Sequence, residues 1–117
     1  DAEIYNNRGV AKSNLNQHEK AIKDYSKAIE LDPNDAEIYN NRGVAKSNLN
    51  QHEKAIKDYN KAIKLDSNYA KAHYNRGNAK ENLKQYKDAC EAWKKALLLG
   101  FEVAQEKLDA FCKDEEK

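Results

Sequence analysis

Residues 1–34 and 35–68 carry the same sequence twice, differing only where Ser26, Glu30 and Pro33 become Asn60, Lys64 and Ser67. A third, diverged copy keeps the offset, with Tyr74-Asn75-Arg76-Gly77 answering Asn6-Asn7-Arg8-Gly9. A fixed period of 34 residues marks a stacked array, in which each unit buries its apolar face only against its neighbours. Repeat boundaries fall at 1–34, 35–68 and 69–101, the third one residue short of the period because the pattern changes there, leaving 102–117 outside it. The chain opens at a repeat boundary without Met, so the expectation is an excised or engineered fragment.

Within one unit, Ile4, Tyr5, Arg8, Gly9, Ala11, Lys12 and Leu15 recur at helical spacing and predict one face of a first helix. Asn16-Gln17 interrupts it, and Asn tolerates the left-handed backbone that a tight helix-ending turn requires. Ala21, Ile22, Tyr25, Ala28, Ile29 and Leu31 predict the buried face of a second helix. Asp32-Pro33-Asn34-Asp35 stops that helix and supplies a side-chain cap for the next. Connections this short force successive helices antiparallel.

Leu, Ile, Val and Phe together number only 20 of 117 residues, a proportion typical of disordered chains. Periodicity overrides that prior, because 16 alanines and seven tyrosines fall at repeating positions. Gly9, Gly43 and Gly77 sit mid-helix, where glycine costs about 1 kcal/mol relative to alanine. That cost is expected to be met by a second backbone crossing there, with Ala21, Ala28, Ala55, Ala62, Ala89 and Ala96 as the opposing floor. Arg8, Arg42 and Arg76 lie near this core and need partners. The third unit has Ala92 where Asp24 and Asp58 stand, which favours pairs between repeats, Asp24–Arg42 and Asp58–Arg76.

The pattern of aromatic, small, small, aromatic, small and proline on Tyr5, Gly9, Ala21, Tyr25, Ala28 and Pro33 resembles the tetratricopeptide repeat family. It returns on Tyr39, Gly43, Ala55, Tyr59 and Ala62, then on Gly77, Ala89, Trp93 and Ala96, with His73 in the first aromatic place. The resemblance implies an all-α, right-handed superhelical solenoid of three helix-turn-helix repeats, seven helices in all. It also implies a concave groove lined by the first helices, holding an extended peptide or a partner's helix. The positions carried over are Glu3, Asn6, Asn7, Val10, Ser13 and Asn14; Glu37, Asn40, Asn41, Val44, Ser47 and Asn48; and Lys71, Tyr74, Asn75, Asn78, Glu81 and Asn82. Carboxamides donate and accept at once, so the asparagine row suits a peptide backbone. Co-chaperone members of the family grip acidic chaperone tails with a basic clamp, of which only Asn41 and Lys71 match here. Asn6, Val10 and Asn75 stand where that clamp needs Lys, Asn and Arg, so the clamp is expected to be absent.

Past Gly100, the apolar residues Phe101, Val103, Ala104, Leu108, Ala110 and Phe111 predict a capping helix over 102–114, followed by a tail. Cys90 and Cys112 are the only cysteines. A hairpin about Gly100 can bring them together, so a disulfide is conceivable, but the expectation is two buried free thiols. The first helix has no cap on its outer flank, which invites weak head-to-tail association.

Charge balances at 21 basic and 20 acidic residues, net +1, with the signs interspersed, so nothing resembles a nucleic-acid footprint. No membrane-spanning run or signal peptide is visible. His18 and His52 are copies of one turn residue, and His73 replaces a core aromatic. With no phosphate loop, no nucleophile beside a base and no metal-ligand spacing, the chain is expected to be non-enzymatic and to need no cofactor. The expected function is a protein-interaction scaffold. The alternative is a duplicated or engineered structural solenoid with no dedicated ligand.

Overall fold

The computed structural model describes residues 1–113; the last residue of the expected 102–114 cap and the tail to 117 lie outside the described residues. Seven helices and no strands occur among them: α1 (Ala2–Asn14), α2 (His18–Leu31), α3 (Ala36–Asn48), α4 (His52–Leu65), α5 (Ala70–Asn82), α6 (Tyr86–Leu98) and α7 (Ala104–Phe111). Each packs on the next in chain order, giving a slab of 49 × 25 × 20 Å. The cap, α7, is shorter than the expected 102–114 because Glu102 and Val103 are spent on the turn that admits it.

The turns follow from residue chemistry. Asn16, Asn50 and Lys84 adopt φ of 60°, 61° and 61°. At the first of these, Asn16 N–H donates to Ser13 O and Gln17 N–H to Lys12 O, both at 2.9 Å. This double bond pattern closes the orphan carbonyls of a helix end around one left-handed residue. It repeats after α3, after α5 and, with Gly100 at φ 97°, after α6. Lys84 carries a β-carbon into a conformation that costs an ordinary residue about 1–2 kcal/mol. At the starts of the first helices, Asp1 accepts from Ile4 N–H and Asp35 from Glu37 N–H, each at 3.0 Å. Tyr69 replaces that aspartate before α5 and makes no side-chain cap.

Within each pair the close contact is aromatic on glycine, not backbone on backbone as expected from sequence. A β-carbon placed on Gly9 would lie 2.6 Å from Tyr25 Cε1, and on Gly43 2.6 Å from Tyr59 Cε1. On Gly77 it would lie 2.5 Å from Trp93 Nε1. The three rings are almost wholly buried, and the six alanines of the second helices form the floor, each with no exposed surface.

The arginines also pair differently from expectation. Asp24 accepts from Arg8 Nε at 3.0 Å and Nη2 at 2.7 Å, inside one repeat. Asp58 accepts from Arg42 Nε at 2.9 Å and Nη2 at 2.8 Å in the same way. Each carboxylate takes a second cation from the same first helix, Lys12 at 2.9 Å and Lys46 at 3.0 Å. The helix repeat explains this: Arg and Lys four residues apart share a face that their own hairpin partner covers. The remaining guanidinium nitrogen of Arg42 reaches between repeats, Nη1 to Ser26 Oγ at 3.2 Å, and Arg76, whose own repeat has Ala92 in the aspartate's place, sends Nη1 to Asn60 Oδ1 at 3.0 Å. Arg8 and Arg42 also lie over the rings of Tyr5 and Tyr39, at 5.2 and 5.8 Å from the centroids.

Cys90 and Cys112 are joined as a disulfide, with Cα atoms 5.8 Å apart, rather than standing as two free thiols. Hairpin geometry allowed either state, and docking α7 on α6 brings the two side chains together, with Cys90 Sγ 3.9 Å from the backbone oxygen of Phe111.

Asp58→Ala leaves Arg42 and Lys46 facing a buried gap and is expected to destabilise by about 2–4 kcal/mol. Lys57→Ala, at an exposed position, should stay within about 0.5 kcal/mol. Urea unfolding in a double-mutant cycle should show coupling of Asp58 to Arg42 and none to Arg76.

Candidate functional site: the face lined by the first helices

The first helices touch one another directly, α1 with α3 and α3 with α5, while α2 with α4 and α4 with α6 make no comparable contact among the described residues. Elements that meet on one side and splay on the other curve the slab, so α1, α3 and α5 line its inner face.

The asparagine row on this face is partly spent on the fold. Asn6 and Asn40 are 8% and 3% exposed. Asn41 Nδ2 donates to Asn6 Oδ1, and Asn75 Nδ2 to Asn40 Oδ1, both at 3.1 Å. The buried carboxamides give their own N–H groups to the next repeat: Asn6 to Glu37 Oε1 and Asn40 to Tyr69 Oη, both at 3.4 Å. A buried carboxamide left without partners would cost about 1–3 kcal/mol, so these pairs lock adjacent first helices in register. Asn41 and Asn75 are half-buried, and their Oδ1 atoms accept from nothing else among the described residues.

Other expected groove positions divide by repeat. Glu3, Asn6, Asn7 and Glu37 line a cavity of about 360 Å³ with Asp32 and Asp35. Glu37, Asp32 and Asp35 continue into a neighbouring cavity of about 600 Å³ with Asp66, Leu65 and Tyr69. Val44, Ser47, Asn48, Asn75, Asn78 and Asn82 surround a third, of about 210 Å³, with His52 and Tyr59 at its wall. Val10 and Ser13 are half-buried; Val10 packs against the core of the first repeat, and Asn14 is exposed. Lys71 is exposed and lines none of these cavities.

In the third repeat the cap and the core take up positions that sequence assigned to the groove. Tyr74 packs on Phe101, ring centroids 4.9 Å apart. Asn78 Oδ1 accepts from Trp93 Nε1 at 3.1 Å, and Lys107 from α7 reaches Glu81 at 2.9 Å. Conversely, Asp32, Asp66 and Tyr69 line the inner rim, although sequence reading gave Asp32 only a helix-stopping role and assigned nothing to Asp66 or Tyr69. Aspartate before a helix is so common a cap that its second oxygen attracts no notice in a sequence.

The histidines divide similarly. His18 and His52 open α2 and α4, and His52 Nδ1 lies 3.1 Å from Ser47 Oγ. His73 Nε2 sits 3.1 Å from Ser67 O, reproducing the bond from Tyr39 Oη to Pro33 O, also 3.1 Å. A carbonyl only accepts, so Nε2 carries the proton, and Nδ1 is buried without a partner. Burial therefore pushes the His73 pKa below its ordinary 6.5, helped by Arg76 and Lys95 and opposed by the Ser67 bond. Hydrogen bonds from Arg8 first, then Lys12, hold Asp24 below the usual carboxylate range despite its burial. Among the described residues, no three His, Cys, Asp or Glu side chains converge as metal ligands, and no helix is long and apolar enough to cross a membrane.

Family profiles described as "Tetratricopeptide repeat" match residues 2–35, 25–57 and 70–100, and one described as "TPR repeat" matches 47–84. The Arabidopsis OM64 TPR domain is 32% identical over 93% of this chain and 94% of its own, with a TM-score of 0.87. The chain belongs to the tetratricopeptide repeat family. The first TPR of Spaghetti (RPAP3), bound to the HSP90 peptide SRMEEVD, is similar at 26% identity, covering 99% of this chain and 94% of that one, TM-score 0.92. The second TPR domain of human RPAP3, in complex with the HSP70 peptide SGPTIEEVD, shows 29% identity, 97% and 99% coverage and a TM-score of 0.87. No curated protein matches the sequence.

Because the folded state keeps His73 neutral, it binds fewer protons than the unfolded chain once pH falls below about 6.5. Its contribution is complete above that value and is lost as pH drops toward the lowered one. His73→Tyr, which installs the arrangement of Tyr39, is expected to flatten the fall in urea midpoint between about pH 7.5 and about pH 5.5. An unchanged slope would show that the titrating group lies elsewhere.

Proposed function

We propose that the chain is a protein-interaction scaffold whose inner face binds an extended polypeptide or a partner's helix. The observation that carries this reading is the curved face of α1, α3 and α5, open as a run of cavities along the first two repeats and the α3–α5 junction. Similar folds that hold short peptides in RPAP3 support it. The asparagine, glutamate and serine positions of the first helices would meet the ligand's backbone, with Asn41 and Asn75 presenting acceptor oxygens and Val44 an apolar floor. Tyr74 and Glu81 contribute less, being held by the cap. The acidic tails of the RPAP3 peptides suit this face poorly, because Asn6, Val10 and Asn75 supply no cations at the clamp positions.

A second reading, a structural solenoid that self-associates, is favoured by one observation. Helices α1 and α3 are identical in sequence, yet Ile4 is 63% exposed where Ile38 is 1% exposed. The apolar flank that α3 buries against α2 is open on α1, so a second copy stacked head-to-tail would have a surface to cover.

Asn48 is exposed at the mouth of the 210 Å³ cavity, so Asn48→Trp blocks it without touching the core. Peptides selected from a random display library are expected to bind the parent and to lose about tenfold or more in affinity to this variant. Selection that yields no binder, or binders indifferent to Asn48→Trp, would leave the scaffold reading without support. Light scattering on the same samples separates the second reading: concentration-dependent mass growth, abolished by Ile4→Lys, belongs to it alone.

A further inference from the structure

The two buried carboxylates among the described residues find cations. Asp24 and Asp58 each take two, and Glu81 takes Lys107. Glu3, Asp32, Asp35, Glu37 and Asp66 take none among the described residues, as is also true of scattered exposed acids such as Glu19 and Glu53, but these five stand together. They line the two linked cavities at the N-terminal end of the first helices, and no Lys or Arg lines either one. Local backbone bonds account for part of this: Asp35 caps α3 through Glu37 N–H at 3.0 Å, while Asp32 and Asp66 close turns by accepting from Asn34 N–H at 3.3 Å and Asn68 N–H at 3.1 Å. Glu37 Oε1 accepts from Asn6 Nδ2 at 3.4 Å, and none of these bonds brings a cation to the five carboxylates.

Resting on the groove reading above, we propose that the polypeptide this face takes is a basic one, with lysine or arginine side chains seated in the two acidic cavities. The geometry separates this from ion binding. The five carboxylates are strung along two cavities of about 360 and 600 Å³ and nowhere converge as a metal-ligand group, which matches spaced cations on an extended chain. Tyr69 offers a ring at the wall of the larger cavity, and an aromatic face attracts guanidinium and ammonium groups. Its hydroxyl pKa is raised by burial first, and further by Glu37, Asp35 and Asp66, so the negative field reaches that ring. The open Oδ1 atoms of Asn41 and Asn75 continue the acceptor surface along the face. With net charge only +1, the whole molecule has no long-range pull on cations; any preference is local to these cavities and short-ranged at ordinary salt.

Three fluorescein-labelled probes test this by anisotropy: a peptide of alternating arginine and serine, its glutamate-for-arginine counterpart, and SRMEEVD. The arginine peptide is expected to bind about tenfold or more tightly than either acidic probe and to weaken with added salt. Glu37→Gln combined with Asp66→Asn keeps the oxygens that accept from Asn6 and from Asn68 N–H and should cost that peptide about fivefold in affinity. An unchanged urea midpoint would show that this variant folds. Equal or tighter binding of an acidic probe, or an affinity the double variant leaves unchanged, overturns the proposal. If an acidic probe binds and Asn48→Trp blocks it, the groove reading stands and only the charge preference falls. If no probe of either charge binds, both fall.

Discussion

An aromatic ring lying where a β-carbon would otherwise stand sets the geometry of this protein. Tyr25 on Gly9, Tyr59 on Gly43 and Trp93 on Gly77 fix how near the two helices of each pair approach. That distance decides what else can meet. It lets Arg42 and Lys46 close on Asp58 across the same hairpin, and it presents the alanine floor of the second helix to the next repeat. A helix-interior glycine concedes about 1 kcal/mol of helix propensity; burying a tyrosine or tryptophan against it returns more, at about 1.5–3 kcal/mol per large apolar side chain.

Between repeats the bonding is different in kind. Alanine contacts supply area, but register comes from polar groups with only one satisfactory arrangement. The carboxamide pairs Asn6–Asn41 and Asn40–Asn75 lie on the inner side, and the Arg42–Ser26 and Arg76–Asn60 bonds join second helices to first helices of the next repeat. Slipping one repeat against the next would strand buried donors and acceptors on both. The same residues that could greet a ligand are therefore also those that hold the curvature, and ligand chemistry is left to what the fold does not use: the free oxygens of Asn41 and Asn75 and the unpaired carboxylates of the rim.

Periodicity made the helices, their order, the Asn16 and Asn50 turns and the Asp35 cap legible in advance, because each depends on residues within a few positions of one another. What periodicity does not encode is which neighbour a face meets. Arg42 and Asp58 lie on faces that suit pairing within or between repeats, and only the tight aromatic–glycine contact decides for the former. Cys90 and Cys112 were legible as neighbours but not as bonded. On the candidate site, the first-helix positions could be counted off, but the third-repeat positions Tyr74 and Glu81 are taken by Phe101 and Lys107, from a segment outside the repeat register. Asp32, Asp66 and Tyr69 escaped notice because a turn residue's role in its own loop hides what its remaining atoms face.

The two identical helices α1 and α3 show how far context, rather than sequence, assigns a residue its work. Ile4 and Ile38 are the same residue in the same thirteen-residue helix, one open and one sealed, because only α3 has a second helix packed ahead of it. Asn7 and Asn41 differ in the same way: Asn41 finds Asn6 one repeat back, while Asn7 has no such partner and stays exposed. Among the described residues, identical copies thus meet different neighbours according to their place in the stack. Divergence then acts on the remainder. Replacing Asp35 by Tyr69 at the matching position removes one carboxylate and adds a ring whose hydroxyl accepts from Asn40, so the single substitution serves both the register between repeats and the character of the cavity wall.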